Sequence, residues 1–329
     1  MPATGHALHE ALYHYYATFD AEAVIDRHAL PEPPAPTPGT LTNFMGLKVP
    51  VSVFPPVLDA LSGQLEGRPD PGNWHADIAE WAAALHAVEA AEGQFTVVEL
   101  GCGWGCWLMN TGLAARRRGL ALRLIGIEGC APHLDQARAA LALNGFSQDD
   151  FRLVHGVAGP NTGRAIFPAE DAPGWGGAAI FDADAETLAR AEADAAVQVL
   201  DCHPLGALSE GQPIDLLHID IQGAEADFVA GNMDDIATHV RRVLIGTHSR
   251  AIEGALEAHF LAAGWQLEMD RPAIAPPQGG RPQLAIDGVQ MWANPNPVGA
   301  HNPESKLARK PAAMIPREQG IIRTVEAST

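Results

Sequence analysis

The feature that most constrains the fold is an apolar strand followed at once by a glycine-rich turn. Residues 96–105 have the sequence Thr-Val-Val-Glu-Leu-Gly-Cys-Gly-Trp-Gly, and a second apolar segment, residues 122–127, ends on Glu128. This order predicts strand, turn, helix and second strand, which is half of a nucleotide-binding α/β sheet with its ligand crevice at the carboxyl ends of the strands. Glycines let the backbone turn tightly and approach a ligand where a Cβ would clash. Because an acid at the end of the second strand can accept hydrogen bonds from both hydroxyls of a ribose, we predict an adenosine-containing cofactor.

The details of the turn separate the adenosine cofactors from one another. A dinucleotide fingerprint, G-x-G-x-x-G, needs a third glycine, and Cys106 occupies that place when counting starts at Gly101. A carboxylate at Glu99, just before the turn, would repel a pyrophosphate but attract the ammonium and sulfonium groups of S-adenosylmethionine. The G-x-x-x-x-G-K-[ST] motif of a P-loop is absent from the sequence. We therefore predict S-adenosylmethionine as the cofactor, and an NAD-dependent oxidoreductase is the least favoured alternative.

Composition restricts the partners and the compartment. The 329 residues are 47% hydrophobic and 19% charged, with a net charge of −19. This charge argues against non-specific nucleic-acid binding, which needs clustered Lys and Arg, and against binding to an anionic membrane surface. No apolar run is long enough to span a membrane, and the N-terminus lacks the pattern of a signal peptide. The four cysteines show no C-x-x-C pairing, so we predict free thiols in the cytoplasm.

Strands and helices alternate along residues 93–293, which predicts an α/β fold with a largely parallel sheet covered by helices on both faces. Two strands in succession at the end of this region predict a closing antiparallel hairpin. Residues 1–92 are interpreted as an N-terminal helix (residues 5–30), a proline-rich linker and a lid-like extension. Residues 159–212 are interpreted as an insert in the main domain, and residues 294–329 as a polar C-terminal tail.

A second motif lies at residues 215–225, Asp-Leu-Leu-His-Ile-Asp-Ile-Gln-Gly-Ala-Glu. It predicts a buried strand over residues 214–219 that leads into Asp220 and a helix over residues 224–231, and the next strand ends just before His248. Because parallel strands end at the same edge of a sheet, we expect these two side chains to lie together beside the cofactor. We predict His248 as a catalytic base, with Asp220 either orienting it or sharing a divalent metal ion with it. His218, two residues earlier, is predicted to be a core histidine.

The two motifs together resemble the FkbM-type family of class I S-adenosylmethionine-dependent methyltransferases. The match covers about residues 95–265, and its more specific part is the run from Leu217 to Glu225. Two residues depart from the family pattern: His218 stands where lysine is common, and Gln222 where glutamate is usual. The resemblance implies a Rossmann-like methyltransferase sheet, S-adenosylmethionine as methyl donor, and an oxygen acceptor on a sugar or natural product. If the glutamate usual at position 222 has a role in the family, this chain lacks that role or fulfils it with other residues.

The resemblance also implies where the cofactor binds. Glu99, Gly101 and Gly103 would contact its methionine part, Glu128 its ribose hydroxyls, and the backbone of residues 156–158 its adenine. The complete predicted cofactor set is Glu99, Gly101, Cys102, Gly103, Trp104, Glu128, Gly129, Gly156, Val157, Ala158 and Asp220.

The acceptor is expected to be a small molecule or a glycan. The residues predicted to contact it are Trp74 and His75, beside the proline-rich segment, together with Gln222 and Glu225 of the second motif. Glu225 equally suits a purely structural role, because an acid in the first turn of a helix complements the helix dipole. Methylation of a small amine and a non-catalytic, methyltransferase-like binding protein are the alternatives. Homo-oligomer formation is left open.

Overall fold

The structure is a computed structural model that describes residues 9–32, 34–169, 176–296 and 298. Its strands, in chain order, are β1 (Tyr16–Ala17), β2 (Thr40–Thr42), β3 (Lys48–Pro50), β4 (Gln64–Leu65), β5 (Gln94–Leu100), β6 (Ala121–Glu128), β7 (Phe151–His155), β8 (Val157–Ala158), β9 (Gly163–Pro168), β10 (Val197–His203), β11 (Ile214–Ile219), β12 (Val240–Thr247), β13 (Gln266–Arg271), β14 (Pro277–Gln278), β15 (Arg281–Pro282) and β16 (Gly288–Ala293). Its helices are α1 (Ala21–His28), α2 (Pro55–Leu58), α3 (Ile78–Glu89), α4 (Cys106–Arg117), α5 (Ala131–Leu143), α6 (Ala185–Glu192), α7 (Leu205–Ser209), α8 (Glu225–His239) and α9 (Arg250–Ala262).

The main sheet has eight strands in the order β1-β13-β16-β12-β11-β5-β6-β7. The run from β12 through β11, β5 and β6 to β7 is parallel throughout. Strand β16 lies between β12 and β13 and is antiparallel to both. The predicted α/β fold, with a mostly parallel sheet and a closing antiparallel pair, is confirmed by this topology.

The apolar residues of the central strands alternate between two cores, one on each face of the sheet. On β5, Phe95 and Val97 belong to the core beneath α3 and α4, whereas Val98 and Leu100 belong to the core beneath α8 and α9. Because both faces are covered, the strand is a nearly continuous apolar run, as expected for a parallel strand. The carboxyl ends of β5, β6 and β11 therefore meet at one edge, where the chain continues into the two sequence motifs.

The N-terminal helix is shorter than the predicted one over residues 5–30. Residues 15–19 are rich in aromatic side chains and threonine, which favour strands, and β1 pairs antiparallel with β13 at the edge of the sheet. Helix α1 begins only at Ala21, where the Asp20 side chain accepts a hydrogen bond from the backbone N–H of Ala23. Pairing with an open sheet edge gives these residues the backbone hydrogen bonds that a helix would otherwise have provided. Residues 1–8, which include the start of the predicted helix, lie outside the described residues.

The extension after the proline-rich linker is built into the main core. Strands β2, β3 and β4 form a small sheet of their own, and their buried side chains, such as Leu41 and Val49, pack in the core beneath α3 and α4. Strands β9 and β10 of the insert form a third sheet with β8, which precedes the insert, in the order β8-β10-β9. Residues 170–175 of the insert and residues 299–329 of the predicted tail lie outside the described residues, and the predicted domain boundaries stay predictions.

In the part of the chain that the structure describes, no helix combines the length and the apolar character needed to cross a membrane.

Candidate active site

A cavity of about 910 Å³ opens where the carboxyl ends of β5, β6 and β11 meet. Every residue predicted to bind the cofactor lines this cavity, as do Trp74, His75 and Gln222. Glu225 and His248 do not line it; they lie next to Asp220, with His248 Nε2 3.4 Å from Asp220 Oδ1. Small-molecule sites usually measure about 300–1,000 Å³, so this cavity has room for a cofactor and a small acceptor together.

Gly101 is the position in the turn where a side chain has no room. Its φ is +72°, and an added Cβ would lie 2.0 Å from the backbone oxygen of Asp220. The backbone N–H groups of Gly101 and Cys102 both donate to the carbonyl of Ile127, at 3.0 Å. The turn is therefore packed between β6 and the end of β11, and only glycine allows this approach.

Glu99 caps the helix that follows the turn. Its two carboxylate oxygens accept hydrogen bonds from the backbone N–H groups of Trp107 (3.1 Å) and Leu108 (2.8 Å), while Gly105, at the helix N-cap, has no side chain to offer. Burial raises the pKa of Glu99 to about 7, although these bonds and the charge of His218 oppose the shift. The acid that we predicted for the cationic part of the cofactor thus also holds α4 in place.

Glu128 is fixed at the end of β6 with both oxygens directed at the turn. Oε2 accepts a hydrogen bond from Gly103 N–H at 3.0 Å, and Oε1 accepts one from Cys130 N–H at 2.9 Å. A carboxylate has about four acceptor positions, so each oxygen can still accept a ribose hydroxyl. The geometry fits the role predicted from the sequence.

The insert supplies a wall that the sequence analysis missed. The Phe167 ring lies against Gly129, where an added Cβ would be 2.7 Å from the ring, and both residues line the cavity. The Gly129 carbonyl is 3.0 Å from His155 Nε2 and accepts a hydrogen bond from Gln198 Nε2 at 3.1 Å. Because no periodic pattern marks residues 159–212, nothing in the sequence indicates that Phe167 would reach this wall.

An aromatic wall, which includes Trp104 of the glycine turn, also lines the cavity. The Trp74 and Trp104 rings stack with centroids 5.6 Å apart, and the His75 ring is 5.8 Å from that of Trp104. Within the described residues, Trp74 Nε1 and both ring nitrogens of His75 are buried without a hydrogen-bond partner. Burial lowers the pKa of His75 to about 4, so the ring is neutral at neutral pH. The wall therefore offers apolar faces and polar atoms that a ligand can satisfy.

The loop that carries Trp74 is held by a buried acid, which makes stability depend on pH. Asn73 donates to Glu66 Oε2 at 3.1 Å, and burial raises the pKa of Glu66 from 4.5 to about 7 against this bond and one from the Trp74 backbone. Folding therefore takes up a proton between these two pH values. The contribution of Glu66 to the free energy of unfolding is highest below pH 4.5 and falls, by at most about 3 kcal/mol, as the pH rises to 7.

We expect Glu66→Gln to remove this part of the pH dependence, because glutamine keeps the hydrogen bonds and does not ionise. Thermal unfolding at about pH 5 and pH 8 should show a smaller drop in melting temperature for the variant than for the wild type. Replacing the exposed Glu92 by Gln is the matched control and should leave the wild-type drop unchanged. If the melting temperature of Glu66→Gln falls as much as that of the wild type, Glu66 is not the source of the pH dependence.

The second motif places an imidazole among carboxylates beside the cavity. His248 Nδ1 is 2.8 Å from Glu225 Oε1, and the same oxygen accepts hydrogen bonds from Ile221 and Gly223 N–H at 3.2 and 2.9 Å. Burial opposes the charged form of His248, but Glu225 and Asp220 outweigh it and raise its pKa to about 9. Burial raises the pKa of Asp220 to about 6, against the charge of His248. The imidazole is thus held mainly in the protonated form at neutral pH.

A second histidine–carboxylate pair, which the sequence analysis assigned to the core, also lines the cavity. His218 Nε2 is 3.2 Å from Glu80 Oε1 on α3, and that oxygen accepts a hydrogen bond from Trp107 Nε1 at 3.0 Å. His218 Nδ1 is buried without a partner among the described residues. Burial opposes the charged form of His218, but Glu80 and then Glu99 raise its pKa. The missed signal was a histidine two residues before a motif carboxylate, on the same face of the strand.

Comparison with known proteins places the chain in a family. A protein of Jannaschia sp. (strain CCS1), named "Putative methyltransferase", is 52% identical to this chain over 261 residues, which are 79% of this chain and 94% of that protein. The chain belongs to the methyltransferases. The prediction of a methyltransferase is thereby confirmed. No family model matches the chain.

Solved structures give more distant similarities. A methyltransferase FkbM of Methylobacillus flagellatus KT has 16% identity and a TM-score of 0.41, over 66% of this chain and 55% of that chain. A precorrin-6y C5,15-methyltransferase of Geobacter metallireducens GS-15 has 8% identity and a TM-score of 0.38, over 65% and 86%. The chain spans just over half of the first of these proteins. Both likenesses are too weak to assign a substrate or a mechanism.

The class I fold implies S-adenosylmethionine as the methyl donor, and the residues present fit it. Gly101 and Gly103 line the cavity without side chains of their own. Glu128 keeps acceptor positions for ribose hydroxyls, and Glu99 and Asp220 also line the cavity, where their carboxylates would attract the ammonium and sulfonium groups. Arg271 is the one Lys or Arg side chain among the described lining residues, and its Nε lies 2.6 Å from Asp77 Oδ2. The described lining therefore offers no unpaired Lys or Arg to a pyrophosphate.

Proposed function

We propose that this methyltransferase transfers a methyl group to a hydroxyl oxygen of a sugar or another small natural product. The observation that carries the proposal is one cavity lined by two unlike sets of residues. One set is the glycine turn and Glu128. The other is the aromatic wall with Trp74 and His75, whose ring nitrogens lack partners within the described residues. Such a wall suits the apolar faces and hydroxyl groups of a small polar molecule.

S-adenosylmethionine supplies a methyl group on a positively charged sulfur. In the transfer, the sulfur–carbon bond breaks, a carbon–oxygen bond forms, and the hydroxyl proton must leave. The first task of the chain is to hold donor and acceptor in line, because positioning alone can account for much of the barrier reduction. Gly101, Gly103 and Glu128 would hold the donor, and Trp74 and His75 the acceptor.

The second task is to accept the proton, and His218 is the side chain that we propose for it. Its Nε2 faces Glu80, as in a carboxylate-oriented general base, and its Nδ1 has no partner in the described part of the chain. His248, predicted as the base, lies between Glu225 and Asp220, which hold it protonated. We therefore expect His248 and Asp220 to contribute by other means than accepting this proton.

The first test is calorimetric titration with S-adenosylhomocysteine, using wild type, Glu128→Ala and Glu128→Gln. We expect micromolar affinity in the wild type and a loss of roughly 30- to 100-fold in Glu128→Ala, because two charge-assisted hydrogen bonds to the ribose disappear. Glutamine keeps one acceptor oxygen, so Glu128→Gln should lose less. NAD serves as the ligand control, and binding of NAD instead of S-adenosylhomocysteine would overturn the assigned cofactor.

The acceptor atom is then identified with methyl-labelled S-adenosylmethionine and a panel of monosaccharides, glycosides, phenols and small amines. Products are separated by mass spectrometry, and the methylated atom is assigned by NMR. Methyl ethers support the proposal. Cofactor binding without any methylated product would favour the non-catalytic alternative.

Methylation of an amine is the second candidate, because Asp220, Asp287 and Glu80 give the cavity an acidic lining. Carboxylates beside aromatic rings attract ammonium groups, and an amine needs less help from a base than a hydroxyl does. His218→Gln separates the two candidates: a small loss of rate at unchanged cofactor affinity favours an amine. The cytoplasmic location, the exclusion of nucleic-acid and membrane partners and the oligomeric state stay predictions.

A further inference from the structure

The His248 ring is oriented by a carboxylate that is itself fixed. Glu225 is fully buried, and its Oε1 lies 2.8 Å from His248 Nδ1 while accepting the N–H groups of Ile221 and Gly223. These contacts determine which way the imidazole faces. Its other nitrogen, Nε2, is therefore directed at Asp220, the residue of this group that lines the cavity.

The distance between His248 and Asp220 fits two ligands of one cation. Nε2 is 3.4 Å from Asp220 Oδ1, and within the described residues Nε2 is buried without a hydrogen-bond partner. Two ligand atoms that each lie ~2.1 Å from a tetrahedral metal ion are separated by about 3.4 Å. The pair thus has the separation of a chelating pair, and it lacks the geometry of a direct hydrogen bond.

Among the described residues, the group around His248 also has an unpaired carboxylate oxygen and an excess of negative charge. Glu225 Oε2 is buried without a partner in the described part of the chain, and the Glu225 side chain is 0% exposed. Ligand atoms of Asp220, Glu225 and His248 all lie within 4.8 Å of one another. Two carboxylates around one imidazole leave negative charge in a mostly buried place, and a divalent cation would neutralise it.

We propose that Asp220 Oδ1 and His248 Nε2 bind a divalent transition-metal cation, which takes the place of the Nε2 proton, with Glu225 orienting the histidine from behind. A carboxylate on the second nitrogen of a metal-binding histidine is a common arrangement, since it fixes both the tautomer and the ring orientation. Mixed nitrogen and oxygen ligands suit Zn²⁺ and Mn²⁺. With only two protein ligands, further positions on the cation would be left for water or for oxygens of an acceptor.

The role of this cation rests on the proposed function, whereas its binding does not. A divalent cation lowers the pKa of a hydroxyl placed on it, so an acceptor hydroxyl held beside Asp220 would lose its proton more readily.

The test uses the full chain, stripped with EDTA and titrated with Mn²⁺ while free Mn²⁺ is followed by electron paramagnetic resonance. We expect one equivalent to bind to the wild type and to be displaced by Zn²⁺. His248→Gln and Asp220→Asn should abolish binding, and Glu225→Gln should weaken it by roughly 10- to 100-fold. The exposed Asp149→Asn is the control and should bind as the wild type does.

Variants that fail to fold are recognised by circular dichroism, and Zn²⁺ should in any case raise the melting temperature of the wild type. Absence of stoichiometric binding to the wild type, or binding that survives His248→Gln, would overturn the site. Metal binding without methylated product would keep the site and reject the proposed function. Methyl transfer that is unchanged after EDTA treatment would reject the role of the cation in the reaction.

Discussion

Gly101→Ala should abolish S-adenosylhomocysteine binding and destabilise the protein by more than 3 kcal/mol, on the order of the largest single-residue effects. Two separate costs add at this position. For a residue with a Cβ, a left-handed conformation reduces stability by about 1–2 kcal/mol, and the φ of Gly101 is +72°. The methyl group would also lie 2.0 Å from the backbone oxygen of Asp220, so either the turn or the end of β11 must move. Both belong to the cofactor site.

Gly119→Ala is the matched control, because it carries only the first cost. Gly119 has a φ of +76° and nothing within 4 Å of an added Cβ. We expect Gly119→Ala to lose about 1–2 kcal/mol and to bind S-adenosylhomocysteine like the wild type. Urea unfolding and calorimetric titration measure the two quantities. If Gly101→Ala loses no more stability than Gly119→Ala and still binds S-adenosylhomocysteine, the close approach of the turn to β11 is not needed for the cofactor site.

The sheet and the cofactor wall could be predicted because both depend on local sequence. Strand β11 was predicted with its observed ends, Ile214–Ile219, because four of its six residues are apolar and an acid follows directly. The turn at Gly101 is equally local, because chain reversal at that point requires a left-handed residue. Glu128 follows from the same logic, as the last residue of a buried strand at the ligand edge.

Elements that depend on distant contacts could not be predicted in the same way. Helix α8 was expected to end near Gly231, but it continues to His239. Glycine is needed there for packing, since an added Cβ would lie 2.4 Å from Pro160 Cβ in the insert. A sequence shows that a glycine is present, but whether it ends a helix or makes room for a neighbour depends on what packs against it.

The same limit applies to the polar residues of the site. Asp220 was placed correctly at the cavity because it ends a strand, whereas the partners of each histidine come from other elements. His218 is next to Glu80, which lies 138 residues away along the chain, and His248 is next to Glu225, 23 residues away. These pairings decide which nitrogen of each histidine has no partner among the described residues: Nδ1 of His218 and Nε2 of His248. Spacing along the strand could only show that both lie near the same edge.

Asp77→Ala should destabilise the protein by about 4 kcal/mol, because this acid has two roles. Its Oδ1 caps α3 by accepting the N–H groups of Ala79 and Glu80 at 2.9 and 3.1 Å. Its Oδ2 lies 2.6 Å from Arg271 Nε, and the two side chains are only 7% and 3% exposed. Loss of a helix cap costs about 1 kcal/mol, and leaving a buried charge without its partner costs roughly 3–5 kcal/mol.

Two further variants separate these costs in urea unfolding experiments. Asp20 caps α1 through one hydrogen bond at 3.0 Å from Ala23 N–H and is exposed, so Asp20→Ala should cost only about 1 kcal/mol. Adding Arg271→Met to Asp77→Ala removes the unpaired charge, and the double variant should be more stable than Asp77→Ala alone. If the double variant is instead less stable, the arginine stabilises the fold through contacts other than the ion pair. If Asp77→Ala destabilises the protein no more than Asp20→Ala does, the buried ion pair contributes little to stability. Helix α3, on which Glu80 lies, would then be held in place by its apolar face.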